Sequence, residues 1–201
     1  MKLPNSWGEV TIAQYLKIHT ITEKIVDPLE RGIQIIAALT GKPVKEVEQL
    51  KVNEINEMVV TLDFLKALPS ERLPLEFKLK GRKFKAIIFQ HEMTAAQFID
   101  YSSVCKTVTT NDALVYEMHN LLGCFCVEGK RKLFNYKYEY QGYNKLGEFF
   151  YDNMPLSIAY PFFVFFCNVW LNLLPPMQDY FQQQALMNLQ KARNKITELV
   201  N

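Results

Sequence analysis

Over the first seventy residues the apolar positions recur at helical spacing, in short segments with explicit start and stop signals. Thr11-Ile12-Ala13-Gln14 reads as a capping box, the threonine hydroxyl serving the third helical N–H while the glutamine reaches back. The helix it opens is predicted to run to about Thr22 and to bury Ile12, Tyr15, Leu16 and Ile18. Asp27-Pro28-Leu29-Glu30 starts a second helix, with proline in the first turn where its missing N–H costs nothing, and Gly41 ends it. Pro43 begins a short third helix. Asn53 is the expected N-cap of a fourth, whose stripe is Ile55, Met58, Val59, Leu62 and Leu65. Pro69 and Pro74 bracket the exit loop.

The period then changes from helical to alternating. Leu75, Phe77 and Leu79, then Phe84, Ala86 and Ile88, flank a turn at Lys80-Gly81-Arg82 and predict a two-stranded hairpin. An isolated hairpin is marginal, so it must lie on the helices or pair with another edge. Thr94-Ala95-Ala96-Gln97-Phe98-Ile99 repeats the cap chemistry of Thr11 to Leu16, from duplication or from the commonness of such caps. A helix is expected from about Asn111 to Val127, a loop or second hairpin between Glu128 and Asn144, and a short helix from Lys145 to Asn153. After Pro155 comes an uncharged run, Leu156 to Leu174, and after Pro175-Pro176 a long amphipathic helix, Gln178 to Val200. The predicted fold is mainly α, a multi-helix bundle with one or two small β-hairpins. Residues 1–68 read as an N-terminal helical lobe, 69–92 as a hairpin connection and 93–201 as a C-terminal helical lobe, with one integrated domain as the alternative.

Composition narrows the functional classes. A 201-residue chain that is 49% hydrophobic can bury a sizeable core without staples. Its formal net charge of +2 supplies no global drive toward nucleic acid or anionic lipid. Cys105, Cys124, Cys126 and Cys167 lack CxxC spacing and read as reduced core thiols. Met1 to Val10 has no apolar signal core, which points to synthesis in a cytoplasm. The run Leu156 to Leu174 approaches bilayer length, but Pro161, Asn168 and Asn172 interrupt it and no basic cluster flanks it. A buried core or interface helix is the expected reading, and a membrane role is disfavoured.

No P-loop, GxGxxG, HExxH or GxSxG pattern occurs, and the three histidines, His19, His91 and His119, join no ligand motif. The sequence therefore points away from an enzyme, and no cofactor or metal is expected. Lys78, Lys80, Arg82, Lys83 and Lys85 on the hairpin are expected to line one face. That face suits phosphates or an acidic partner, although an ordinary solvated edge whose lysines block strand addition accounts for it more simply. Candidate protein-interface residues are Phe162, Phe165, Phe166, Trp170 and Phe181 in the C-terminal segments, with Tyr138 and Tyr140 in the tyrosine-rich stretch.

The opening Ser6-Trp7-Gly8-Glu9-Val10-Thr11-Ile12-Ala13-Gln14-Tyr15, followed by Ile35-Ile36-Ala37-Ala38-Leu39-Thr40-Gly41, Val44-Lys45-Glu46-Val47 and Leu62-Asp63-Phe64-Leu65, resembles tail assembly chaperone-type proteins of tailed bacteriophages, as found in crAss-like phages. The resemblance covers about Ser6 to Leu68 and rests on packing and capping residues, so it carries no catalytic residue. It implies a helical morphogenesis protein whose partners are other phage structural or assembly proteins, with self-association in a ring among them. Two roles follow from it: a virion structural component (ring, portal-vertex or internally packaged), or a chaperone that holds tape-measure or other tail proteins and is absent from the mature virion. A membrane-inserting ejection protein is a distant third.

Overall fold

The computed structural model describes residues 2–70, 72–108, 110–131 and 136–168. The first helix, α1 (Ile12–Lys24), starts at the expected capping box: Gln14 N–H donates to Thr11 Oγ1 at 3.3 Å and Thr11 N–H to Gln14 Oε1 at 3.0 Å. It extends two residues past the expected end, and the Thr20 and Thr22 hydroxyls donate to the carbonyls of Leu16 and Ile18 within it. The second, α2 (Pro28–Thr40), is capped by Asp27 and stopped by Gly41 at φ 69°. A one-turn α3 (Val44–Val47) follows Pro43. Then α4 (Val52–Thr61) begins two residues before the expected site: Lys51, not Asn53, is the N-cap, because Glu54 accepts the Lys51 N–H at 2.8 Å. Ile18, Ile36, Leu39, Val47, Ile55 and Leu62 make the core among these helices.

The hairpin forms as β1 (Glu76–Leu79) and β2 (Arg82–Ala86) around a two-residue turn, Lys80 and Gly81, both at positive φ. Paired positive values match the twist of the flanking strands. It does not stand alone. Two further strands, β3 (Cys126–Arg131) and β4 (Tyr136–Glu139), complete an antiparallel meander in the order β1-β2-β3-β4. The stretch expected as a loop or second hairpin is thus the outer half of a four-stranded sheet.

Between the two halves of that sheet lie α5 (Ala95–Thr107), α6 (Asn111–Tyr116) and α7 (Met118–Phe125). The single helix expected over Asn111 to Val127 is broken at Glu117, whose ψ is 2°. It also stops at Phe125, because Cys126 and Val127 are taken into the ladder opposite Ala86 and Lys85. The eighth helix, α8 (Tyr143–Asn153), packs on α7 at a distance only glycine permits. A Cβ added at Gly123 would lie 2.4 Å from the Tyr143 carbonyl oxygen, and one at Gly147 would lie 2.6 Å from Asn120 Oδ1. Residues 156–168 are helical. Among the described residues no helix is long and apolar enough to cross a membrane. Residues 169–174 of the apolar run and the expected helix Gln178 to Val200 lie outside the described residues.

The apolar side of the sheet is covered by aromatic rings. Phe84 meets Phe150 edge-on at 5.2 Å, and Phe77 meets Phe162 at 6.0 Å. Residues 7–12 also run against 154–157: Ile12 N–H donates to the Met154 carbonyl, Leu156 N–H to that of Val10 and Ser157 N–H to that of Trp7. Chain contacts divide the molecule into residues 1–163 and 164–201, not at the 69–92 connection. The entry segment of the N-terminal helices is tied by these hydrogen bonds to residues 154–157 of the same unit.

Thr11→Ala and Thr94→Ala are each expected to lower stability by about 0.5–2 kcal/mol in urea denaturation, since each removes an N-cap oxygen. Gly123→Ala is expected to cost roughly 1–3 kcal/mol or more, because backbone and not a flexible side chain blocks the new methyl. Gly8→Ala, whose added Cβ meets Ser6 Oγ at an ordinary 3.6 Å, serves as the tolerant control.

Candidate functional site

An open groove of about 720 Å³ lies along α1, where Leu16, Lys17, Thr20 and Ile21 form one wall. Gln34, Ala37 and Ala38 of α2, with Gly41 to Val44, form another, and Tyr116, His119 and Tyr151 close it. The small side chains of Ala37, Ala38 and Gly41 keep this space open. Tyr116 crosses to α1, where its hydroxyl shares a 2.8 Å hydrogen bond with Thr20 Oγ1 and its ring stacks on His19 at 6.0 Å. His119 meets Tyr151 edge-on at 5.1 Å. Its Nδ1 is shut off from solvent and has no hydrogen-bond partner among the described residues. Burial pushes the His119 pKa below the ordinary imidazole value, with Glu117 opposing, so the ring is neutral near pH 7.

The hairpin cations do not form one free face. Lys78, Lys83 and Lys85 point away from Phe77, Leu79, Phe84 and Ala86, as strand alternation requires. Arg82 has the parity of Phe84 and lies on the other side, 4.1 Å over the Phe149 ring, with a two-pronged bond to Glu128 at 2.7 and 2.6 Å. Each partner shifts the other, Arg82 upward and Glu128 downward, chiefly through that bond. Lys83 is held by Glu76 at 2.7 Å, which raises its pKa and lowers that of Glu76. Lys80 sits in the turn at φ 47°. Of the five expected cations, Arg82 and Lys83 are drawn into cross-strand ion pairs, and farther along the sheet Lys137 and Lys130 both reach Glu139 and lower its pKa to about 2.

The expected interface residues fall in different places. Phe162 is fully buried against the sheet, because the apolar side of β1 and β2 needs a cover. Phe165 and Phe166 belong to the second unit and meet edge to face at 5.6 Å. Tyr138 donates to Glu76 Oε1 at 3.1 Å and Tyr140 to Asp100 Oδ2 at 2.7 Å, so both hydroxyls are engaged within the chain. Trp170 and Phe181 lie outside the described residues. Cys124 and Cys126 are buried thiols with raised pKa, while Cys105, pushed up to about 12, and Cys167 are only half-buried.

Sequence reasoning missed two features. Exposed apolar side chains gather on α4 and at the start of α2: Val60 is 73% exposed, Val52 56%, and Val26 85% just before α2. Leu29 and Val59 are exposed as well, and Val59 packs where Gly32 of α2 leaves room, its Cγ2 being 3.1 Å from where a Cβ would stand. The helical stripe assigned to Val59 as core therefore ends half out of the protein. The second feature is a convergence of His19, Glu23 and Asp112, whose potential metal-ligating atoms all lie within 4.8 Å of one another. The spacing of His19 and Glu23 is visible in the sequence, whereas Asp112 is placed by tertiary structure alone. No family model matches this chain, and neither curated proteins nor solved structures yield a match.

Because the unfolded chain binds a proton near the ordinary imidazole value of 6.5 and folded His119 only below it, acidification favours unfolding. The contribution of this residue is complete above about pH 6.5 and is lost as pH falls from there toward the folded pKa. The urea midpoint of His119→Phe, which keeps an aromatic ring but cannot titrate, is expected to fall less between pH 7.5 and 5 than that of the unmodified protein. Equal slopes would contradict a neutral, half-buried His119.

Proposed function

We propose that this chain is a non-enzymatic structural component of a tailed-phage particle, in a ring, at the portal vertex or packaged internally, acting through protein–protein contacts. The observation that carries this reading is the exposed apolar surface of α4 and the start of α2. Leu29 stands one helical turn before Gly32, against which Val59 packs, and Val52 and Val59 lie two turns apart on one side of α4. Several exposed apolar side chains on two helices that meet where Val59 packs at Gly32 suit a contact surface better than isolated ones would. This surface falls within Ser6 to Leu68, the part of the chain that resembles phage tail assembly chaperone-type proteins. The partner it suits is another phage structural or assembly protein with an apolar patch, or a second copy of the chain.

Quantitative mass spectrometry of purified particles is expected to find the protein at a fixed copy number. Val60→Asp and Leu29→Asp should leave the isolated chain folded, since both positions are exposed, yet lower its incorporation roughly tenfold or more. Absence from particles combined with co-purification of a tail protein from infected cells would replace this role by that of a departing chaperone. Unchanged incorporation of both variants would move the contact surface elsewhere.

A further inference from the structure

We infer that His19, Glu23 and Asp112 form a divalent transition-metal site that clamps α1 to α6. His19 and Glu23 are four residues apart on α1 and so face the same way. Asp112 and Tyr116 are likewise four apart on α6, and Tyr116 is fixed on α1 by its ring on His19 and its hydroxyl on Thr20. With that end of α6 pinned beside His19, the turn before it brings Asp112 to Glu23. Thr110 holds the start of α6 in place, its Oγ1 accepting the Ala113 N–H at 3.1 Å.

The spacing suits a shared ion better than a direct pair. His19 Nδ1 and Glu23 Oε1 are 3.4 Å apart, longer than the ~2.7–2.9 Å of a charge-assisted hydrogen bond. Two ligands on a tetrahedral ion, each at ~2.0–2.1 Å, are separated by about 3.3 Å. Among the described residues no lysine or arginine pairs with Glu23 or Asp112, so two carboxylates converge with only an imidazole between them. Both carboxylates are exposed, which leaves their side chains free to close on an ion from within the 4.8 Å cluster. One nitrogen and two oxygens suit zinc or a neighbouring first-row ion, the imidazole disfavouring magnesium and calcium, and a three-ligand site leaves a fourth position for water. Such a site needs no other chain and is independent of the assembly role.

Zinc alone, titrated into the full chain in competition with a chromophoric chelator, is expected to bind at one equivalent and to raise Tm. Asp112→Asn, at an exposed position, should keep the circular dichroism spectrum and weaken binding roughly tenfold or more, and His19→Ala should do at least as much. His91→Ala, at an exposed histidine elsewhere, should leave affinity unchanged. Cobalt in place of zinc should lack the intense near-ultraviolet band of thiolate ligation, which separates this site from the cysteines. No binding, a thiolate band, or full affinity in Asp112→Asn would each overturn the assignment.

Discussion

The approach of α7 to α8 is the constraint on which the rest of the molecule hangs. Gly123 admits the Tyr143 carbonyl and Gly147 admits Asn120, so the two backbones meet where any side chain would hold them apart. That approach places Phe150 on Phe84 and so fixes the cover of the sheet. It also places Met154, whose carbonyl accepts the Ile12 N–H and thereby orients the start of α1. Because β3 continues from the last residue of α7 without a loop, the same contact sets where the second half of the sheet begins. A shift of α8 would be felt in the sheet, in α1 and in the groove walled by Tyr151 and His119 together.

The sheet shows how charge and burial share one small surface. Its inner side starts as an aromatic core at Phe77 and Phe84 and becomes polar toward β4, where Glu128 and Glu139 continue the same row. Arg82 joins the two regimes, its guanidinium lying over Phe149 while its donors reach Glu128. An arginine serves there because a planar, weakly hydrated cation can stack and bond two-pronged at once. Lysines on the outer side pair with Glu76 or carry the solvated edge. This is why a strip of like charge in the sequence does not become a strip of free charge in the structure.

Elements fixed by local chemistry were legible in the sequence. The Thr11 and Thr94 boxes, the Asp27 start, the Gly41 stop and the Lys80-Gly81 turn all need only residues within four positions of one another. What escaped depends on distant partners. The loss of Cys126 and Val127 to a strand follows from pairing with residues about forty positions earlier, which no helical period reveals. The burial of Phe162 depends on the sheet, and the meeting of His19 with Asp112 depends on Tyr116 binding α1. Val59 carried a core signal by its spacing, but α2 is too narrow at Gly32 to cover it.

The recurrence of the threonine–glutamine cap has a physical explanation that goes beyond its local role. Gln14 accepts the Thr11 N–H through its oxygen and donates its amide to the Leu39 carbonyl at 3.1 Å. Gln97 does the same between Thr94 and the Cys124 carbonyl, also at 3.1 Å, while only 1% exposed. Leu39 and Cys124 both lie in the last turn of their helices, where carbonyls have no partner within the helix. One glutamine thus completes the start of one helix and the end of another, satisfying two orphan groups that burial would otherwise penalise. A glutamate could serve the cap but would bring a buried charge and no donor for the carbonyl. A site where a helix start packs beside a helix end thus favours this residue, so the threonine and glutamine shared by the segments at Thr11 and Thr94 have the same physical role in both.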